Sequence, residues 1–323
     1  MTDQEEESNH NLFAELDALQ DRLSELDSLV SQPRPAMEEG AGAERPRLDE
    51  EDESLYQALL NAIENDELRL YWQPRFDRSG ELAGAEALLR WLHPVKGLLP
   101  ARDFLHLASQ TELMIDLDSW ALEQACRFQQ QLSAEMPETG SMPIAVNISP
   151  ELFSQNDFSE RVSVVIETIQ ANPARLTLEV TENMLVGEMS VIGARMSELK
   201  KLGVRFSIDD FGTGCTSLPA LKLLPLDEIK IDEYLVHDLV NDHHSAVIVE
   251  AMIALASKMG LSVVAEGVES PKEREFLYKK NCKGYQGELF CKPLSGDKFM
   301  ALLLEQGEAA QKSKGMQSAF EGF

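Results

Sequence analysis

Oxygen donors recur at the ends of short apolar stretches in this chain. Glu179, the pair Asp209 and Asp210, and Glu266 lie at or near the end of such a stretch, Glu86 lies within one, and Asn147, Lys230 and Gln286 occupy comparable places. Carboxylates gathered in one low-dielectric pocket repel one another and raise each other's pKa. Divalent cations remove that repulsion. Every candidate ligand is an oxygen, and none of the six histidines falls in the set, so hard Mg²⁺ or Mn²⁺ is favoured over Zn²⁺. The number of acids suggests two ions sharing one carboxylate, the arrangement that supports in-line attack on phosphodiesters. Taken singly, each residue has a plainer explanation. Asp209 and Asp210 before Phe211-Gly212-Thr213-Gly214 would serve as an acidic turn cap, Lys230 and Asp232 as a buried structural pair, and Arg90 as a salt-bridge partner. The metal reading rests on the recurrence at six strand ends.

Strand-like segments must position these groups. In Leu176–Glu182 the residues Leu176, Leu178 and Val180 alternate with Thr177, Glu179 and Thr181, and in Val204–Asp209 the residues Val204, Phe206 and Ile208 alternate with Arg205, Ser207 and Asp209. Side chains alternate across a strand, so each has one apolar face and one polar face carrying an acid near its C-terminal end. The same test puts Glu86, Leu88 and Arg90 on one face and Ala85, Ala87 and Leu89 on the other. It also pairs Asn147 with Ala145, and Lys230 with Asp232. Strands are predicted at 68–73, 82–91, 144–149, 176–181, 204–209, 228–232, 262–267 and 285–290. Helical patterns between them cover Leu117–Leu132, Glu160–Gln170, Met189–Leu202, Ser245–Met259 and Pro271–Lys280. This alternation predicts a largely parallel sheet with right-handed crossovers. Eight strands over about 250 residues fit an α/β fold of the TIM-like (β/α)8 barrel type, with the acids at the C-terminal mouth. An open doubly wound sheet is the alternative, but no G-x-G-x-x-G turn joins an early strand to a helix.

The chain has 323 residues, 43% of them hydrophobic, enough to bury a sizeable core. Its formal net charge is −27, and residues 1–54 hold 17 Asp/Glu against 4 Lys/Arg. So acidic a protein is a poor binder of duplex nucleic acid or anionic membrane, and a phosphate substrate needs locally placed cations. Leu12, Leu16, Leu19, Leu23, Leu26 and Val30 mark a short amphipathic helix over 1–30, about three heptads long. It fits either a coiled coil that dimerises or docks a regulatory partner, or a solvated, transient helix. An acidic, Pro- and Gly-punctuated linker is expected over 31–54, a barrel domain over 55–306 and a polar tail over 307–323. Cys126, Cys215, Cys282 and Cys291 show no metal-binding spacing and fit free thiols in a reducing compartment. The acidic N-terminus is unlike a signal peptide, and no apolar run approaches the ~18 residues of a membrane span. A cytoplasmic location is the expectation.

Seven motifs now stand in order: Glu86-Ala87-Leu88 with Leu89-Arg90-Trp91, Val146-Asn147-Ile148-Ser149, Leu178–Glu182, Asp209–Gly214, Lys230-Ile231-Asp232, Ala265–Glu269 and Gln286-Gly287. This series resembles that of the EAL-domain family, bacterial phosphodiesterases that linearise cyclic di-GMP to pGpG. The resemblance covers about residues 57–303 and implies a cyclic di-GMP substrate, two Mg²⁺ or Mn²⁺ ions and a homodimer. It implies Glu86, Asn147, Glu179 and Asp209 as ligands of one ion, and Asp209, Asp210 and Glu266 as ligands of the other. Lys230 resembles the lysine that holds the attacking water, and with Glu86 and Glu266 it makes up the implied catalytic set. Glu266 has two roles open to it, metal ligand and general base. Gln73, Leu89, Arg90 and Gln286 resemble substrate contacts, Glu182 the anchor of the loop at 211–218, and Asp232, Glu269 and Gln286 supporting groups. The chain departs from the family pattern at Cys215-Thr216-Ser217, Glu288, Trp72 and Arg75-Phe76. The alternative function is a catalytically weak cyclic di-GMP receptor or a protein-binding adapter on the same barrel. Such members usually lose acids that this chain keeps.

Overall fold

Strand pairing in the computed structural model, which describes residues 50–109, 111–136, 142–185, 189–212 and 218–307, closes on itself. The strands are β1 (Leu68–Asp77), β2 (Leu82–His93), β3 (Gly97–Pro100), β4 (Ile144–Asn147), β5 (Leu176–Thr181), β6 (Arg205–Phe211), β7 (Glu228–Ile231), β8 (Ser262–Ala265), β9 (Gly284–Tyr285) and β10 (Leu294–Ser295). Eight of them, β1, β2 and β4 to β9, form the ring, and β3 and β10 extend it beside β2 and β1. From β2 through β4 to β9 every ring pairing is parallel. The fold is therefore the expected TIM-like barrel, with one difference. β1 runs antiparallel to both its neighbours, β2 and β9. The cause is local: only residues 78–81 separate β1 from β2, and Asp77 accepts hydrogen bonds from Ser79 Oγ (2.6 Å) and Glu81 N (3.0 Å) in that turn. So short a link makes a hairpin, since a parallel crossover needs a dozen residues or more.

Helices cover the outside: α1 (Glu50–Leu59), α2 (Leu105–Ala108), α3 (Glu112–Glu135), α4 (Pro150–Phe153), α5 (Phe158–Ile169), α6 (Met189–Leu202), α7 (Leu218–Leu223), α8 (Glu233–Asp238), α9 (His243–Met259) and α10 (Pro271–Lys279), followed by α11 over 296–307. The outward strand residues Ile144, Val146, Leu176, Leu178, Val180, Phe206, Ile208, Ile229, Ile231 and Val263 join helix residues such as Leu122, Val162, Met196, Val249 and Leu277 in one buried cluster. Trp72 belongs to this outer layer, stacked on Phe128 of α3 with ring centroids 4.0 Å apart. Its role is therefore a matter of packing, remote from the chemistry.

Residues 50–54, expected in the acidic linker, instead form the start of α1. Glu50, Glu51, Asp52 and Glu53 occupy the first turn, where negative side chains complement the exposed N–H groups, and Leu55, Tyr56 and Leu59 bury the other face. The heptad over 1–30, the linker up to residue 49 and the tail from 308 lie outside the described residues. No helix among the described residues is long and apolar enough to cross a membrane.

One buried carboxylate outside the barrel mouth fixes the segment after β4. Asp118 of α3 accepts the Ser149 N–H at 2.8 Å, and Ser149 Oγ in turn accepts Leu152 N at the start of α4. Burial pushes Asp118 up to about 7, against the hydrogen bonds from Ser149. The native chain then binds more protons at this site than an unfolded chain whose Asp titrates near ~3.9, so the stability it contributes falls as pH rises from about 4 to about 7. Asp118→Asn keeps the acceptor and removes the titration. Its stability relative to the parent should therefore rise between pH 5 and pH 7 in urea unfolding, and a difference that stays constant with pH would show that Asp118 titrates normally.

Candidate active site

The C-terminal ends of the parallel ring strands open into a cleft of about 900 Å³, lined among others by Gln73, Glu86, Leu88, Arg90, Asn147, Asp209, Asp210, Lys230, Asp232, Glu266, Glu269 and Gln286. At its floor lies Lys230, 1% exposed. Its ammonium reaches Glu179 Oε2 at 2.7 Å, Glu266 Oε1 at 2.6 Å, Asp209 Oδ1 at 3.1 Å and Glu86 Oε2 at 3.3 Å. Strand alternation accounts for the meeting: these residues sit on β2, β5, β6 and β7 and just after β8, each on the inward face. Burial works against the lysine's charge, but Asp209, Glu179, Glu266 and Glu86 outweigh it and hold the group protonated, well above its ordinary value.

Arg75 is a second interior cation and was not among the residues expected at the site. On β1 it lies two residues beyond Gln73, so alternation turns it inward as well. Its Nε donates to Gln286 Oε1 (2.8 Å), Nη1 to Glu228 Oε1 (3.2 Å) and Nη2 to Glu179 Oε1, with Glu86 Oε2 3.5 Å away. Gln286 then donates through Nε2 to Glu86 Oε2 (2.6 Å) and Gln73 Oε1 (3.0 Å), and Asn147 Nδ2 donates to Glu86 Oε1 (2.8 Å). Glu86 and Glu179 are thus held from beneath by Arg75 and from the side by Lys230. The predicted strand stops at residue 73, whereas β1 runs on to Asp77, and that continuation puts Arg75 in register with Gln73.

Two consecutive acids reach the same point because the strand breaks its own rule. Asp209 and Asp210 would normally face opposite ways. Here the β6–β7 register shifts between Ile208 and Phe211, and Asp210 takes a left-handed backbone with φ +54°. Aspartate tolerates that conformation better than most residues, and such backbone gathers at functional sites. Among the described residues, oxygens of Asp209, Asp210 and Glu266 all lie within 4.8 Å of one another. Gly267 makes room beside them: at φ +60°, a Cβ there would stand 2.5 Å from the Glu233 Cβ.

The titration of these groups differs with their surroundings. Burial pushes Glu86 up, but Lys230, Arg75 and the hydrogen bonds from Gln286 and Asn147 overcome it and hold the carboxyl at about 2. Glu179 goes the other way, to about 7, because its deeper burial and the charges of Glu86 and Asp209 exceed the pull of Arg75 and Lys230. Burial and then repulsion from Asp209 and Asp232 raise Asp210 to about 6. Burial also raises Glu266, and the charges of Asp209, Glu86 and Glu179 add to it against the pull of Lys230. An all-oxygen, electron-rich set of this kind suits a hard divalent cation, and the convergence of Asp209, Asp210 and Glu266 fits one directly.

Other expected residues fall as follows. Glu182 is buried after β5 and accepts the Gly212 N–H through Oε2 at 3.1 Å. The loop beyond, with Cys215, Thr216 and Ser217, lies outside the described residues. Asp232 caps α8 by accepting Tyr234 N at 2.8 Å. Glu269 lines the cleft with His237 Nε2 3.8 Å away. Arg90 lines it too, its guanidinium 5.9 Å from the Tyr71 ring. Leu89, expected as a substrate contact, is not a lining residue; it occupies the opposite face of β2, and Leu88 lines the cleft instead. Glu288 is at the rim with Lys292 Nζ 2.8 Å from its Oε2, so its charge has a nearby counter-ion.

Removing Arg75 should leave the part-buried Glu228 without a nearby cation and the buried Glu179 with Lys230 alone. Breaking a buried pair from one side costs about 3–5 kcal/mol. Arg75→Met is expected to lose stability on that scale in urea denaturation, and Arg75→Met with Glu228→Gln to recover part of the loss. A loss below ~1 kcal/mol, the range of an exposed pair, would mean that the network does not depend on Arg75.

Comparison with known proteins agrees with this geometry. The EAL domain family model matches residues 56–293. The bifunctional diguanylate cyclase/cyclic di-GMP phosphodiesterase MucR of Pseudomonas aeruginosa is 37% identical over 253 residues, 78% of this chain and 37% of MucR. The cyclic di-GMP phosphodiesterase NbdA of the same organism is 38% identical over 237 residues, 73% of this chain and 30% of NbdA. The chain spans about a third of the length of the curated relatives it matches. The solved MucR phosphodiesterase in complex with c-di-GMP superposes with a TM-score of 0.73 at 37% identity, covering 76% of this chain and 99% of that one. With the family match extending over residues 56–293, most of the barrel, the chain belongs to the EAL-domain family.

Proposed function

We propose that the barrel hydrolyses one phosphodiester of cyclic di-GMP to give linear pGpG, using two Mg²⁺ or Mn²⁺ ions. The observation that carries this reading is the meeting of Asp209, Asp210 and Glu266 oxygens beside Lys230 on the floor of a cleft that also holds Gln73, Arg90 and Gln286. The names of the two Pseudomonas relatives support the substrate.

Glu86, Asn147, Glu179 and Asp209 would hold one ion, and Asp209, Asp210 and Glu266 the other. Ions bound there would polarise the phosphate, lower the pKa of water and neutralise charge as it develops. Lys230, kept protonated by its carboxylates, would donate a hydrogen bond to the attacking water, favouring its deprotonated form and the charge that grows on phosphorus oxygens. Glu266 retains both assigned roles, ligand and base. Arg75 and Gln286 fix the carboxyl planes of Glu179 and Glu86 before substrate arrives, which is the positioning that such catalysis needs. Arg90 offers paired donors to a phosphate, and Gln73 a donor and an acceptor to a base edge.

The test is turnover of cyclic di-GMP by the purified chain with Mg²⁺ or Mn²⁺, separated by chromatography, with an EDTA control. Linear dinucleotide formed only with metal is the expected result. Glu86→Gln and Asp209→Asn should each lower kcat by more than about a hundredfold, the upper end of losses seen when only a supporting group is removed. Saturable binding without product would replace the enzyme with a receptor, and neither binding nor product would favour an adapter. The heptad from Leu12 to Val30 would reinforce a dimer of barrels or dock a regulatory partner. Sedimentation velocity should show a larger association state for residues 1–323 than for 50–323, and equal states would remove dimer reinforcement as that segment's role.

A further inference from the structure

The cleft is strongly acidic, and its cations are unevenly used. Lys230 is occupied by four carboxylates. Among the described residues lining the cleft, the remaining arginine and lysine side chains are Arg90 and Arg102. The two stand together for a structural reason. Arg90 pairs with Pro100 across β2 and β3, and the chain turns at Ala101–Asp103 immediately afterwards, bringing Arg102 back to the same wall. Arg102 is 87% exposed, and the carboxylate recorded near it, Asp103, is its sequence neighbour at 3.7 Å. Burial, and next the charge of Arg102, lower Arg90 from its ordinary value. Two like charges have thus been brought together on a wall that faces an acidic floor, an arrangement that favours an anion between them.

The inference deepens the proposed hydrolysis and rests on it. A cyclic dinucleotide carries two phosphodiesters, each with one negative charge. Only one can sit at the acids and Lys230 to be cut. The other must lie in the same acidic cleft and needs cationic contacts of its own. We propose that Arg102, together with Arg90, seats the phosphodiester that is not cut, so that Arg102 sets the preference for cyclic dinucleotides over substrates with a single phosphodiester. Two guanidinium forks can share the non-bridging oxygens of one phosphate. The bond broken is the P–O3′ bond of the other phosphodiester. Water supplies the oxygen and one proton to phosphorus, and the departing 3′-oxygen takes the second proton, so the seated phosphate is unchanged in the linear product.

Arg102→Gln and Arg102→Lys in the full chain test this against two substrates, cyclic di-GMP and bis(p-nitrophenyl) phosphate, which has one phosphodiester. Loss of one charge-assisted contact should raise KM for cyclic di-GMP about tenfold in Arg102→Gln, with kcat changed far less. The loss of kcat/KM on cyclic di-GMP should exceed the loss on bis(p-nitrophenyl) phosphate at least fivefold, and Arg102→Lys should recover part of it. Equal losses on both substrates, or an unaltered KM for cyclic di-GMP, would overturn the assignment. Calorimetric binding of cyclic di-GMP in Ca²⁺ separates the two readings where no turnover occurs. Affinity about tenfold weaker in Arg102→Gln would uphold the seat even if hydrolysis failed, affinity equal to the parent's would reject the seat alone, and no binding by the parent would reject both.

Discussion

Burial of two cations among carboxylates is the constraint that the rest of this barrel meets. Lys230 and Arg75 are both almost fully buried, and an unpaired charge at such depth is prohibitively costly. They persist because Glu86, Glu179, Asp209, Glu228 and Glu266 surround them. Side chains from six ring strands or their immediate ends must therefore point inward at matching heights. That requirement fixes strand register more tightly than the apolar outer layer would, since a one-residue slip would exchange a buried carboxylate such as Glu179 or Asp209 for the apolar residue before it. The polar interior and the apolar shell are two sides of the same alternation, and the acids outnumber the interior cations, which is why the set suits further cations.

Regular strands alone could not build the site. β6 delivers adjacent acids to one place through a shift of register and a left-handed aspartate, and β8 hands over to Glu266 and Gly267, where any side chain would strike Glu233. These departures from ideal geometry occur at the C-terminal ends of parallel strands, where barrels carry their chemistry. Lower in the barrel, Ser207 and Ser262 bring their hydroxyls to Glu228 at 3.3 and 3.4 Å, completing its pairing with Arg75. The carboxylates at the mouth consequently rest on a floor whose own polar groups have partners.

Much of this was legible because alternation with period two is a strong signal when one face is buried. It placed Glu86, Asn147, Glu179, Asp209, Lys230 and Asp232 on inward faces, and the structure brings them to one cleft or its wall. Alternation carries no information on strand direction, so the antiparallel β1 followed only from the brevity of residues 78–81. Nor does it show where a strand bulges, which is how Asp210 turns inward. Leu89 was assigned by motif position against the alternation that set it opposite Arg90, and geometry sides with the alternation. The acidic run before Leu55 was read by composition as linker, whereas acids at 50–53 are also what a helix start favours.

The departures from the family pattern can be ranked by what they touch. Trp72 packs outward on Phe128, and Glu288 stands at the rim with Lys292 beside it, so neither enters the interior charge network. Arg75 does enter it. An aliphatic side chain there would leave Glu179 with Lys230 as its nearby cation and Glu228 with two hydroxyls. The guanidinium instead supports ionised carboxylates where divalent ions would need them, and it orients Gln286 toward Glu86. Among the departures in the described residues, Arg75 is thus the one with a direct electrostatic route to the acids at the mouth, and its charge is part of what keeps so crowded a set of acids folded in one place.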